Sequence, residues 1–397
     1  MHKQALIDPN LHESSLYATS LVPLQLYTQD ENSNKVVVWQ NPRPSSTRYC
    51  RPIKLMFQKE TTGSIILESQ KIQDEIEALT QLESTLSKKN VVVNFFFIMS
   101  MVDGKVCNAL TGTKSSQSCY ICGATYSIMN NSEKLSKLKF NREAYKFGLS
   151  PLHAWIRSLE FLLHISYRKG IFENYNARMS PEQKAQCEEQ KKNIQKGFKE
   201  RLSLTIDTPK QGFGSSNDGN TARIFFRNSA VSAAVTGMDE NLIRDMCTLL
   251  QSIASGFEIN VEKFQEFCGH IAEQLKTLYP WYPVCPTLHK ILYHGAAIIA
   301  AAPLPIGLLS EDAQESRHKE CKYFRVHNTR KSSRVLSNED LLHTCLVSSD
   351  PVITSLRKVP QKSSPPFSAS VLRLLKEPTL INVDFQIRED VDTDDEL

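Results

Sequence analysis

One run constrains this chain more than any other: Val91-Val-Val-Asn-Phe-Phe-Phe-Ile-Met-Ser-Met-Val102. Its β-branched and aromatic residues follow one another without polar alternation, the pattern of a strand buried on both faces. Such a strand needs neighbours on either side and helices above and below. Asn94 and Ser100 interrupt the run, and it is too short to span a bilayer. It leads into Asp103-Gly104. A carboxylate at the C-terminal end of an interior strand sits where α/β sheets place ligands.

The flanking sequence supports a strands-first, helices-later layout. Residues 16–27 are β-rich, with Pro23 marking an edge or a bulge. A polar turn at Asp30–Asn34 joins them to Val36–Trp39, a hairpin signal, and Asn41-Pro-Arg-Pro44 ends that strand. Ile65, Ile66, Ile72, Ile76, Leu79, Leu82 and Leu86 recur at near-helical spacing and predict an amphipathic helix over 64–87. From about 150, apolar periodicity predicts helices over 151–169, 181–203, 221–234, 239–255, 260–278, 285–301, 311–327 and 338–348, with a Gly/Ser/Asn-rich loop at 211–220. Beyond 357, Pro360, Ser363, Ser364, Pro365 and Pro366 mark a flexible tail.

Charge and cysteine usage narrow the function. The net charge is +4, but residues 378–397 carry −6, which leaves +10 on the remainder. A basic body with an acidic tail suits a polyanionic partner; a solvated surface with a disordered end is the plainer explanation. Ten cysteines in 397 residues, irregularly spaced, do not make a disulfide scaffold. They indicate a reducing compartment, and the start of the chain shows no secretory signal pattern.

Three constellations could carry chemistry. Cys119-Tyr-Ile-Cys122 offers two thiolates from one turn, and His289-Lys-Ile-Leu-Tyr-His294 has a spacing that suits a zinc pair. With 166 residues between them, sequence alone cannot join the two halves. A redox pair, or buried cysteines and two ordinary helix histidines, stay open, although no βαβ pattern surrounds the CxxC. Asp103 with a distant acid (Glu311, Asp312, Glu315 or Glu320) could hold a divalent cation, against the reading of an ordinary surface helix. Arg317, His318, Lys319, Lys322, Arg325, His327, Arg330, Lys331 and Arg334 follow at once, a density that suits phosphates beside a metal. The loop Asn217-Asp-Gly-Asn-Thr-Ala-Arg223 opens a helix, where backbone amides bind phosphate or a side chain simply caps.

Read together, Ser100-Met-Val-Asp-Gly-Lys105, Cys119-Tyr-Ile-Cys-Gly-Ala-Thr125, Leu152-His-Ala-Trp155, Asn217–Arg223, His289–His294 and Ile306–Ser316 resemble, in order, the Transib transposases and the catalytic core of the V(D)J recombination-activating protein. The resemblance covers about residues 14–355. It implies an α/β, RNase H-like mixed sheet with an inserted or appended helical zinc-binding region. It divides the chain into strands and half of the metal site (1–125), a mostly helical insertion with a DNA-contacting loop (126–284), the helices bearing the histidines and the catalytic Glu (285–356), and an acidic tail (357–397).

The resemblance further implies DNA nicking and strand transfer by two Mg²⁺ or Mn²⁺ ions, with Asp103 and Glu315 as catalytic ligands. Cys119, Cys122, His289 and His294 match zinc ligands. His153, Asn220, Arg223, Arg325, Arg330 and Lys331 match DNA-contacting positions. The implied partners are double-stranded DNA with terminal repeats, a second copy of the chain and an accessory protein subunit, in the nucleus and without a membrane. The first catalytic Asp of the family belongs on a central strand before Leu16. Asp8, in a polar stretch before Pro9, is no substitute, so the expectation is a chain lacking that strand and inactive in cleavage. A non-catalytic DNA- or partner-binding zinc protein is the alternative.

Overall fold

Ser15–Leu21 pairs antiparallel with Arg51–Phe57, and His2–Lys3 adds a short third strand to the outer edge. The structure, a computed structural model, describes residues 2–3, 15–57, 60–86, 89–100, 102–175, 177–210, 214–357 and 366–377. Asp8 and the acidic stretch from 378 lie outside the described residues. Gln25–Gln29 and Lys35–Gln40 form the expected hairpin, with a bulge at Leu26/Tyr27. Its turn is held by Asp30, whose Oδ1 accepts from the amides of Asn32 (2.9 Å) and Asn34 (2.7 Å). Pro23 falls in the break between strands, where its missing N–H costs no ladder bond.

The sheet differs from the mixed sheet expected. Every strand pair among the described residues is antiparallel, in one three-stranded and three two-stranded sheets. The run 91–102 is not a buried interior strand. Only its first residues are extended, as Lys89–Val93, and they pair with Leu82–Leu86 in a local hairpin. Phe96 is 74% exposed and Phe95 is 50% exposed. The physical reason is a missing neighbour: no described strand lies beside residues 94–100 to accept their backbone groups and cover their rings. The helix expected over 64–87 stops at Glu77 for a related reason, because Leu82–Leu86 supplies the partner strand. Thr61 and Ser64 form a capping box at its start.

From residue 104 onward, helices bury one another. Pro151–Ser166, Gly219–Arg227, Glu240–Ile253 and Val261–Leu278 enclose Trp155, Leu159, Leu162, Phe225, Phe226, Leu242, Met246 and Phe264, all at most 2% exposed. Trp155 meets Phe226 edge-on at 5.7 Å. The helix expected over 221–234 is broken at Asn228 into Gly219–Arg227 and Ser229–Thr236. Ala369–Leu374, expected within the flexible tail, docks instead: Val371 is buried and the Lys376 amide donates to Glu258 O at 2.9 Å. A second, small core joins Asp312–His327 and Arg334–Ser348 through Cys321, Leu341 and Cys345, with Leu55 and Phe324 packed against it.

Candidate functional site

Two turns far apart in sequence meet in the helical core. At the first, the Cys119 amide donates to Ala124 O (2.8 Å) and the Gly123 amide to Cys119 O (2.7 Å). Gly123 takes φ +72°, a left-handed conformation that glycine adopts without a Cβ clash. This tight reversal aims both thiols to one side. At the second, the helix Pro286–His289 passes into a π turn at Lys290–His294. The i→i+5 bonding of a π turn widens the helix, so residues five apart fall on one face, as those in an α-helix do not. His289 and His294 thereby come together, ring centroids 5.2 Å apart.

The result is a quartet. Ligand atoms of Cys119, Cys122, His289 and His294 all lie within 4.8 Å of one another, and all four residues are buried. Cys122 Sγ is 3.3 Å from His289 Nε2. Tyr293 stacks on His289 at 4.8 Å and Phe140 packs edge-on against His294 at 5.1 Å. The hydrogen bond from the Cys122 thiol holds the Cys119 thiol far below its ordinary range, with the imidazoles adding to the effect, while sharing that proton pushes Cys122 up. A zinc tetrahedron with bonds of 2.0–2.3 Å has ligand–ligand edges of roughly 3.3–3.8 Å, which this group can meet. His289 Nδ1 and His294 Nε2 are buried without a hydrogen-bond partner among the described residues, a costly arrangement that a metal at His294 would relieve. The donor set therefore fits a tetrahedral metal.

A second group assembles where the helix Asp312–His327 begins. Ser150 caps the helix Pro151–Ser166 by accepting the His153 amide (3.1 Å), and its hydroxyl donates to the Glu311 carboxylate at 2.5 Å. Glu311 is buried and also pairs with His153 Nδ1. That hydrogen bond raises the His153 pKa against the opposing effect of burial, and the charges of Glu311 and Asp103 push the same way. Arg223 stands 4.0 Å from the Asp312 carboxylate and lies over the Trp155 ring at 5.9 Å. Burial raises the Asp312 pKa, opposed by Arg223. Gly219 allows this approach, since a Cβ there would meet Leu152 Cδ1 at 2.7 Å and Arg223 at 3.0 Å.

Asp103, His153 and Arg223 thus share one electrostatic neighbourhood with Glu311 and Asp312. Asp103 is exposed and caps its own helix, accepting the Lys105 amide at 2.9 Å. Glu315 stands one helical turn beyond Glu311, half-exposed, 3.8 Å from Lys319. Asn220 is exposed in the first turn of its helix, where Asp218 provides the cap by accepting the Thr221 amide at 2.8 Å. The other basic positions lie elsewhere. Arg330 forks onto Asp340 (2.7 and 3.0 Å), Lys331 reaches Arg325 O, and burial together with the Arg334 charge lowers the Arg325 pKa. Sequence reasoning ranked Glu311 no higher than its neighbours; only the Ser150 and His153 contacts single it out.

Residues 7–118 match the sequence profile of the Recombination-activation protein 1 (RAG1) RNase H domain. Over that segment the chain is similar to an RNase H domain of the RAG1 type. No curated protein matches the chain. The RAG1-like match ends one residue before Cys119, so the quartet and the Glu311 group lie outside it except for Asp103. Among the described residues, no single helix is long and apolar enough to cross a membrane.

Proposed function

We propose that this RAG1-like chain carries catalytic-core sequence of a Transib-type DNA transposase or recombinase, acting on double-stranded DNA with terminal repeats. The observation that carries the reading is the convergence of Asp103, at the end of the RAG1-type domain, with His153, Arg223 and the acidic start of the helix Asp312–His327. In this reading Asp103 and Glu315 hold Mg²⁺ or Mn²⁺, which when bound stabilises charge on the attacked phosphodiester. His153, Asn220, Arg223, Arg325, Arg330 and Lys331 contact DNA. Cys119, Cys122, His289 and His294 hold a structural Zn²⁺ that ties the CxxC turn to the late helices. The protein works in the nucleus as a homodimer, with an accessory subunit.

The acidic set does not fit a complete two-metal site. Among the described residues, the only group of three or more potential ligands that cluster within reach of one ion is the Cys/His quartet. The acidic geometry therefore supports no cleavage step, and the chain is proposed to be inactive in cleavage. Joining an Asp-bearing strand ahead of Leu16 tests the assignment. The fusion should nick cognate repeat DNA with Mn²⁺ or Mg²⁺, and Glu315→Gln should abolish that nicking. Equal nicking by Glu315→Gln would remove Glu315 from the site.

The Cys/His quartet favours a second reading, a non-catalytic DNA- or partner-binding zinc protein. A salt titration of duplex binding tests the part common to both. Affinity should fall steeply with salt as phosphate contacts release counterions, and a salt-independent affinity contradicts DNA binding in either reading.

A further inference from the structure

Away from both sites, Cys321 and Cys345 face each other across the helices Asp312–His327 and Arg334–Ser348, their Sγ atoms 3.6 Å apart. Both are buried. Beside them lies Arg317, 1% exposed, a residue that sequence grouped with the phosphate-binding basic cluster. Its guanidinium is spent inside the protein. NH1 donates to Glu320 (2.8 Å) and to Ser348 Oγ (2.7 Å), and NH2 donates to Thr47 O and to Cys50 O (3.0 Å). Nε has no hydrogen-bond partner among the described residues. A buried cation with one half-exposed carboxylate for compensation favours a neighbouring thiolate.

We propose that Cys321 and Cys345 form a reversible disulfide, a modification site that fastens the helix bearing Asp312 and Glu315 to the helix that follows it. Hydrogen peroxide is the class of oxidant small enough for so enclosed a pair. The Cys345 thiolate attacks one peroxide oxygen: an S–O bond forms, the O–O bond breaks, and hydroxide leaves to take up the proton that Cys345 released. The Cys321 sulfur then attacks the sulfenic sulfur. An S–S bond forms, the S–O bond breaks, and water leaves with the Cys321 proton. Two electrons pass from the two sulfurs to peroxide, and two waters result. The polarisation of the pair agrees with this order. The hydrogen bond from Cys321 and the Arg317 charge lower Cys345, while sharing that proton raises Cys321. Closing from 3.6 Å to the disulfide length of about 2.05 Å requires side-chain rotation and a small helix shift.

The experiment uses the whole zinc-loaded chain, titrated with hydrogen peroxide, alkylated under denaturing conditions and mapped by mass spectrometry. The expected product is a Cys321–Cys345 linked peptide that dithiothreitol removes, formed while zinc is retained and Cys119 and Cys122 still alkylate. Cys321→Ser should leave Cys345 as a sulfenic acid trapped by dimedone, and Cys345→Ser should leave Cys321 a free thiol. The linked form should melt a few degrees higher, because the cross-link restricts the unfolded chain. Cys321 and Cys345 both still alkylating at a peroxide dose that oxidises the half-exposed Cys187 would overturn the proposal. So would a linkage mapping to any other pair. Wild-type mapping decides the question even where a serine variant fails to fold.

Discussion

The strands of residues 15–100 and the helices after residue 104 contain the same kinds of apolar side chain and treat them differently. In the first region Leu26, Tyr27, Val36, Val37, Val38, Ile53, Leu82, Val92, Phe95 and Phe96 are exposed; in the second Leu159, Leu162, Phe225, Leu242, Met246 and Phe264 are fully enclosed. A helix satisfies its own backbone and needs only a face to bury. A strand must find its backbone partners elsewhere, and small two-stranded sheets cannot provide both partners and cover. The helical region, with its Cys/His quartet, thus encloses most of its apolar faces, whereas the strand region leaves many of its apolar side chains exposed.

Metal removal should separate the two regions most strongly. With zinc held as proposed, chelating it, or substituting His294→Ala, should unfold or loosen the helical core, because the affinity of a structural metal site is folding free energy. Circular dichroism at 222 nm should fall while the hairpin region contributes little change. An intact helical signal after chelation would mean that the quartet is not structural.

Core truncation comes next. Leu162→Ala should cost about 3 kcal/mol by transfer and cavity terms, whereas Phe96→Ala should change stability by less than about 0.5 kcal/mol. Urea denaturation of the two variants checks the contrast, and equal losses would show that Phe96 is covered in solution.

The smallest effect is a pH dependence at the Glu311 group. The His153 pKa is raised in the folded protein, chiefly by its hydrogen bond to Glu311, with Asp103 assisting and burial and Arg157 opposing. The group therefore contributes stability that is fully present below the ordinary histidine range and lost as pH rises through the folded value. The melting-temperature advantage of the wild type over Glu311→Gln should shrink as pH rises from the ordinary histidine range through the raised folded value. A constant difference would place His153 outside the pair.

How much the sequence disclosed follows the same division. Leu242, Ile243, Met246, Leu249, Leu250 and Ile253 repeat at helical spacing, and their helix is found at Glu240–Ile253. The hairpin around Asp30–Asn34 was legible because its turn chemistry is local. Val91–Val102 misled because its pattern reports a preference for burial, and burial depends on strands elsewhere. The CxxC and the histidine pair were visible as halves. The second half is completed by the π turn at Lys290–His294, which the spacing of the histidines alone does not specify, and the two halves meet only through tertiary packing. Arg317 misled in the opposite direction, since a basic residue among basic residues reads as surface until its carbonyl partners at Thr47 and Cys50 are seen.

X-ray absorption at the zinc edge on the purified full chain, with metal content measured on the same sample, tests the quartet most directly. The expected result is one zinc per chain in a shell of two sulfurs at about 2.3 Å and two nitrogens at about 2.0 Å. A chain without stoichiometric zinc, or a shell without sulfur, would contradict it.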